Sequence, residues 1–221
     1  MGLTVNQSDG GGGSYMQVPP GMHLARCYRV VDMGTQPSVW DGKTTLKLKV
    51  MLQFEVHSED ADGNPLLTDK GEPLSITKNF TASLNEKAAL RGELENWRSR
   101  QFTNEELRGF QLKNVLGAWA MLSVVREKGK DGKDYTNISS INPVPANIKR
   151  AGLPTPHNQL KVFDLEDPDM EMFETFGPRM KEKLQSTPEW KARFNTAPER
   201  KAPAKSNADS GFDDIESDIP F

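Results

Sequence analysis

The chain has 221 residues, 35% of them hydrophobic and 27% charged, with a formal net charge of −3 and a single cysteine. Lone Cys27 excludes an internal disulfide framework and fits a reducing compartment, and no stretch approaches the roughly 18 consecutive apolar residues of a membrane span. The start, MGLTVNQSDGGGGS, lacks a basic segment followed by an apolar one, so it does not read as a secretion signal; the expectation is a cytoplasmic chain of one domain plus appendages.

The net charge hides an asymmetry. Residues 206–221 carry Asp209, Asp213, Asp214, Glu216 and Asp218 with no Lys or Arg, a net −5, which leaves +2 on the remainder of a chain that totals −3. A mildly basic body with a separate acidic tail can bind a polyanion on one surface when its cations cluster.

In chain order, residues 1–20 read as a disordered arm because of the Gly10–Gly13 run and Pro19-Pro20. Residues 22–33 form a first strand ended by Gly34, followed by a loop over 34–43 that holds Trp40, Asp41, Gly42 and Lys43. The clearest strand covers 44–57, where Leu46, Leu48, Val50, Leu52, Phe54 and Val56 alternate with Lys47, Lys49, Met51, Gln53 and Glu55. Such period-two alternation predicts one buried face and one exposed face. A third strand is expected near 74–82. Ser83-x-x-Glu86 has the form of a capping box for a helix with Leu90, Leu94 and Trp97 on one side, and Thr103-x-x-Glu106 that of a second, shorter helix. Strands over 118–127 and 134–142 follow, joined by the charged hairpin loop Lys128-Gly-Lys-Asp-Gly-Lys133. The resulting order, β-β-β-α-β-β, is that of the OB-fold, a partly open five-stranded barrel that binds oligonucleotides and oligosaccharides; a generic α+β sandwich gives a similar string. The class is thus mainly β, with the barrel domain over 21–145. A partly helical extension occupies 146–195, losing strand character after Pro145 and holding a helical piece within 168–194. A disordered linker and acidic tail complete the chain over 196–221.

Sequence-tolerant binding of single strands needs cations for phosphates and aromatic faces for bases. The candidates are Arg26, Tyr28 and Arg29 on strand one, Trp40 and Lys43 in the next loop, and Lys47 and Lys49 on the polar side of strand two. Lys78 and Phe80 on strand three, Arg98 and Arg100 after the helix, and Trp119 and Arg126 on strand four complete the set. Several have a plainer reading. Trp97, in line with Leu90 and Leu94, reads as core; Trp119 and Phe80 sit in apolar strands; Lys47 and Lys49 could be an ordinary solvated face. Trp40, in a polar loop with little core to join, is the leading stacking candidate, and Arg26 with Tyr28, two residues apart, could share one strand face.

The tail, Phe212-Asp-Asp-Ile-Glu-Ser-Asp-Ile-Pro-Phe221, combines acids that keep it solvated with apolar anchors too few to make a core. Its partner-binding candidates are Asp213, Asp214, Glu216, Asp218, Ile219, Pro220 and Phe221, the last offering a ring for an apolar pocket and a carboxylate for a basic rim. This ending resembles the terminal peptide of bacterial single-stranded DNA-binding proteins, with Ile219-Pro220-Phe221 matching and Ser217 departing from the acidic pattern. Through MHLARCYRVVDMGTQ, SLNEKAALRGELENWRSRQFTNEELRGF and LKNVLG, the body resembles single-strand-binding proteins encoded by phages and integrated elements. The resemblance implies a cofactor-free protein that coats single-stranded DNA in a bacterial host cell. It further implies recruitment of replication, recombination or repair proteins through the tail; homo-oligomer formation is a separate expectation.

Signatures of catalysis are missing from the sequence: it has no HExxH pair, CxxC, P-loop or GxSxG elbow. Three alternatives stay open at this stage. They are a strand-annealing recombination protein, an RNA-binding module, and a phage nuclease holding Mg²⁺ on an acidic loop such as Glu59-Asp60-Ala61-Asp62.

Overall fold

The computed structural model describes residues 16–129 and 132–194. Six strands, β1 (Gly21–Trp40), β2 (Lys43–Val56), β3 (Ser75–Thr81), β4 (Trp119–Lys128), β5 (Asp134–Asn142) and β6 (Lys161–Phe163), form one sheet. The first five are antiparallel in the order β3-β2-β1-β4-β5, and β6 lies parallel to the middle of β1. The sheet curls until its outer strands meet, where Lys78 Nζ of β3 donates to the Ser139 carbonyl of β5 at 3.0 Å. Helix α1 (Ala89–Arg98) closes the end of this barrel-like sheet. Its Glu93 accepts from Lys78 and from the backbone N–H of Ile141, and Asn96 donates to the Ile141 carbonyl.

Leu90, Leu94 and Trp97 of α1 face inward as their spacing predicts, among Leu52, Phe54, Val56, Ile76, Leu122 and Ile141. The Ser83–Glu86 capping box does not form. Ser83 Oγ instead accepts from Asn85 N in a turn that leads off β3, and the helix starts only after Ala88, without a side-chain cap. Thr103 and Glu106 do form their reciprocal box, opening α2 (Asn104–Gly109).

The first loop expected over 34–43 is instead strand. β1 continues to Trp40 and reverses through Asp41-Gly42, both at positive φ (49° and 69°), which suits a two-residue turn between right-twisted strands. Gly34, at φ +66°, marks a bulge rather than an end. Beyond Val31, where β6 ends, and Lys49, where β3 ends, the tips of β1 and β2 pair only with each other. This two-stranded arm projects past the core, so Leu46 (68% exposed) and Leu48 (44%) are not buried as their alternation predicted, and Val39 is 70% exposed.

Residues 16–20, expected in a disordered arm, lie against the barrel: Val18 is buried in the main core. The side chain of Gln17 accepts from Thr136 N at 3.0 Å and donates to the Asp134 carbonyl at 3.3 Å, so one amide occupies the outer edge of β5 as a neighbouring strand would.

The extension departs from expectation by adding α3 (Ala146–Ala151) and the short strand β6 after Pro145, ahead of α4 (Met170–Glu174), α5 (Pro178–Gln185) and α6 (Pro188–Phe194). It packs on the outside of the sheet. A second core joins Val31, Met33 and Met51 of β1 and β2 to Phe163, Leu165, Met172, Phe173, Phe176, Leu184 and Trp190. Gly34 admits this packing: a Cβ there would sit 2.7 Å from Leu165 Cδ1 and 2.8 Å from Thr187 Cγ2. Glu55 is the polar anchor of the same contact. Fully buried, it accepts from Arg26 Nη1 (2.9 Å) and from both the backbone and side-chain nitrogens of Asn158 (2.7 Å each). His57 Nε2 lies 3.3 Å away. Burial alone would push its pKa up, but the hydrogen bonds from Asn158 and Arg26, with His57 close by, outweigh that and hold the carboxyl below its ordinary 4.5. No helix among the described residues is long and apolar enough to cross a membrane.

Candidate nucleic-acid interface

Strand register decides which side chains share a face. The residues of β2 that point away from the core, Lys43, Thr45, Lys47 and Lys49, lie opposite Trp40, Ser38, Gln36 and Gly34 of β1. On the other side, Lys49 pairs with Thr81 and Met51 with Asn79. The outward face of the arm and of the adjoining β3 is therefore cationic and amidic, with hydroxyls and no carboxylate among these rows. Lys43 and Lys47 are exposed, and half-buried Lys49 donates from Nζ to Thr81 Oγ1 at 2.8 Å.

Two shallow hollows flank these lysines. One is lined by Lys47, Thr81, Ser83, Asn85 and Lys87, and the other by Met33, Gln36, Lys49, Asn79 and Lys183. Neither has an acidic side chain in its wall. Lys87 and Lys183 were not among the sequence candidates. Lys87 lies in the turn that replaces the expected helix start, and Lys183 reaches the face only because the extension folds back over β1. The alternating polar row Ser75, Thr77, Asn79 and Thr81 was the sequence signal that could have marked β3 as the continuation of the face.

Other candidates are committed elsewhere. Arg26 is buried and held by Glu55 and the Asn158 carbonyl, so it offers no surface cation. Tyr28 is also buried, and a bulge between Cys27 and Arg29 breaks the face it was expected to share with Arg26. Arg29 is half-buried with its guanidinium 5.4 Å from the Tyr28 ring and 5.6 Å from that of Phe176. Lys78 lies on the inner side, bonded to Glu93 and Ser139 across the seam, and Phe80 is core.

Arg98 and Arg100 both pair with Glu106, Arg100 in a two-point fork at 2.7 and 2.9 Å. That fork, with the Thr103 backbone N–H and Arg98, brings the Glu106 carboxyl down to about 2. These arginines do meet half-buried Trp119 and exposed Lys149 in one cleft, at the opposite end of β1 from the arm. Trp119 rests against His57, ring centroids 5.0 Å apart. Arg126 is exposed on β4 opposite Thr136, apart from the lysine face. Trp40 ends β1 opposite Lys43; its side chain, like Asp213, Asp214, Glu216, Asp218 and Ile219-Pro220-Phe221 of the tail, lies outside the described residues.

No protein-family model matches the chain, and no curated protein is similar to it.

Proposed function

We propose that this chain is an OB-fold protein that binds single-stranded DNA without sequence preference, the strand running along the outward face of β1, β2 and β3. The carrying observation is the pair of hollows bearing Lys47, Lys87, Lys49 and Lys183 with no carboxylate in either wall. Such a lining suits a chain of phosphates, and the amides and hydroxyls of Gln36, Asn79, Thr81 and Asn85 suit sugars and base edges. The strand order β3-β2-β1-β4-β5, the meeting of β3 with β5 and the helix between β3 and β4 support the OB-fold assignment. A face made of three strands, without a recognition helix, favours a flexible single strand over a duplex. In this reading the segment 213–221 recruits replication, recombination or repair proteins and takes no part in holding DNA.

The test is binding of the native chain and of a Lys43→Ala/Lys47→Ala/Lys49→Ala variant to single- and double-stranded oligonucleotides across a salt series. Single strands give a log–log slope near −0.7 per phosphate neutralised, so the variant's slope is expected to be shallower by about 2. Equal affinity for duplex, or a slope unaltered in the variant, would refute the proposal.

A further inference from the structure

A cleft opens on the seam of the barrel, where the first residues of β3 and of β5 diverge below the Lys78–Ser139 bond. The cleft there has a volume of about 450 Å³, within the roughly 300–1,000 Å³ of small-ligand sites. Its walls include Gln17, Thr77, Glu127, Lys128, Tyr135 and Asn137. Tyr135 is 38% exposed, one of the large apolar side chains left at the surface of the barrel.

We infer that this cleft is a nucleobase pocket in which a base of the bound strand stacks on Tyr135, an inference that rests on the DNA-binding reading above. The lining chemistry chooses the ligand. Among the described residues of its lining one carboxylate, Glu127, is balanced by one lysine, Lys128, so these walls have no net cationic charge to attract a phosphate. An aromatic face beside two amides, hydroxyls and a carboxylate instead matches a flat, neutral heterocycle carrying its own donors and acceptors. Asn137 Nδ2 donates to Glu127 Oε2 at 2.7 Å, and Gln17 is tied to Thr136, so the polar wall is held in place before a ligand arrives.

The cleft also lies on the route of the strand. Thr81 stands beside Lys47 and Lys49, and the outward row Thr81, Asn79, Thr77 and Ser75 leads along β3 into the cleft. Six residues of β-strand cover about 20 Å. The lysine face and the cleft therefore divide the work: cations take phosphates at one end of β3, and a ring takes a base at the other.

Three measurements on the full chain test this. Tyr135→Ala is expected to bind a single-stranded oligonucleotide roughly 5- to 150-fold more weakly, with Tyr135→Phe close to native and both melting as the native chain does. On an abasic strand the Tyr135→Ala penalty vanishes while the loss in the lysine variant persists, because phosphates remain and bases do not. Irradiation of a complex with an oligonucleotide containing 5-iododeoxyuridine places a cross-link on Tyr135. Native-like affinity of Tyr135→Ala, with cross-links mapping only outside the cleft, would overturn the pocket while leaving the DNA reading intact through the lysine variant. Failure of the native chain to hold single strands would overturn both.

Discussion

Replacing Glu55 with alanine removes the acceptor that binds Arg26 and Asn158 and leaves the guanidinium of Arg26, 7% exposed, without its counter-charge. Breaking a buried ion pair from one side costs about 3–5 kcal/mol, because the remaining charge stays desolvated. Against a domain stability of about 5–15 kcal/mol this is a large fraction. For a chain of this size it lowers the melting temperature by roughly 6–20 °C, at about 2–4 °C per kcal/mol. Denaturant unfolding followed by circular dichroism measures the cost, and hydrogen exchange at His157 and Asn158 locates it, since both backbone N–H groups point at the lost carboxylate. The same anchor gives a pH dependence. The folded carboxyl titrates below its ordinary 4.5, so its contribution is complete above that value and disappears as the pH falls through the folded titration. Acid is therefore expected to loosen the 157–158 attachment. A Glu55→Ala chain within about 1 kcal/mol of native, below the cost of even a typical buried-pair break, with unaltered exchange at Asn158, would refute the account of Glu55 as the anchor.

Gly34→Ala combines a left-handed backbone with a Cβ driven into Leu165 and Thr187; a cost of about 1–3 kcal/mol is expected, read by calorimetry and accompanied by increased proteolysis within 161–194. Trp40→Ala is expected to weaken single-strand binding by roughly 1–3 kcal/mol with little change in melting and with less quenching of tryptophan fluorescence by DNA; early unfolding with normal binding would make Trp40 structural. Deleting 214–221 should leave melting unchanged and DNA affinity equal or slightly higher, since competing negative charge is removed. In a pull-down from bacterial lysate the deletion should abolish partner capture, and Phe221→Ala should do most of that damage.

What was readable in the sequence was what is decided locally. The Thr103–Glu106 box forms because both partners sit within one turn, and β5 falls on the expected 134–142 because a glycine-bearing charged loop isolates it. The alternation of β2 separated its two rows of side chains but not their burial: in the row expected outside, Met51 and Glu55 are buried under the extension. It could not say that neighbours stop at Lys49, which leaves Leu46 and Leu48 in solvent although they continue the pattern of Val50 and Leu52. Arg26 looked like a surface cation because its partner is 29 residues away on another strand. The bulge that hides Tyr28 leaves no compositional mark, β6 is only three residues long, and Lys183 belongs to the face solely through the folding back of the extension.

The position of β1 has a consequence for the nascent chain. It is the hub of the sheet, flanked by β2, β4 and β6 and covered by the second core, yet it leaves the ribosome before all of them. Val31 meets Phe163 across about 130 residues of intervening chain, which at roughly 5–20 residues per second is about 7–26 s of synthesis. From the completion of β5 at Asn142 until Phe163 follows, about 20 residues or roughly 1–4 s later, Val31, Met33 and Met51 present a bare apolar strip on an otherwise assembled sheet. A ribosome stalled between β5 and β6 would therefore hold a sticky, chaperone-seeking half-product, and the yield of folded chain should depend on how promptly residues 143–190 follow the barrel.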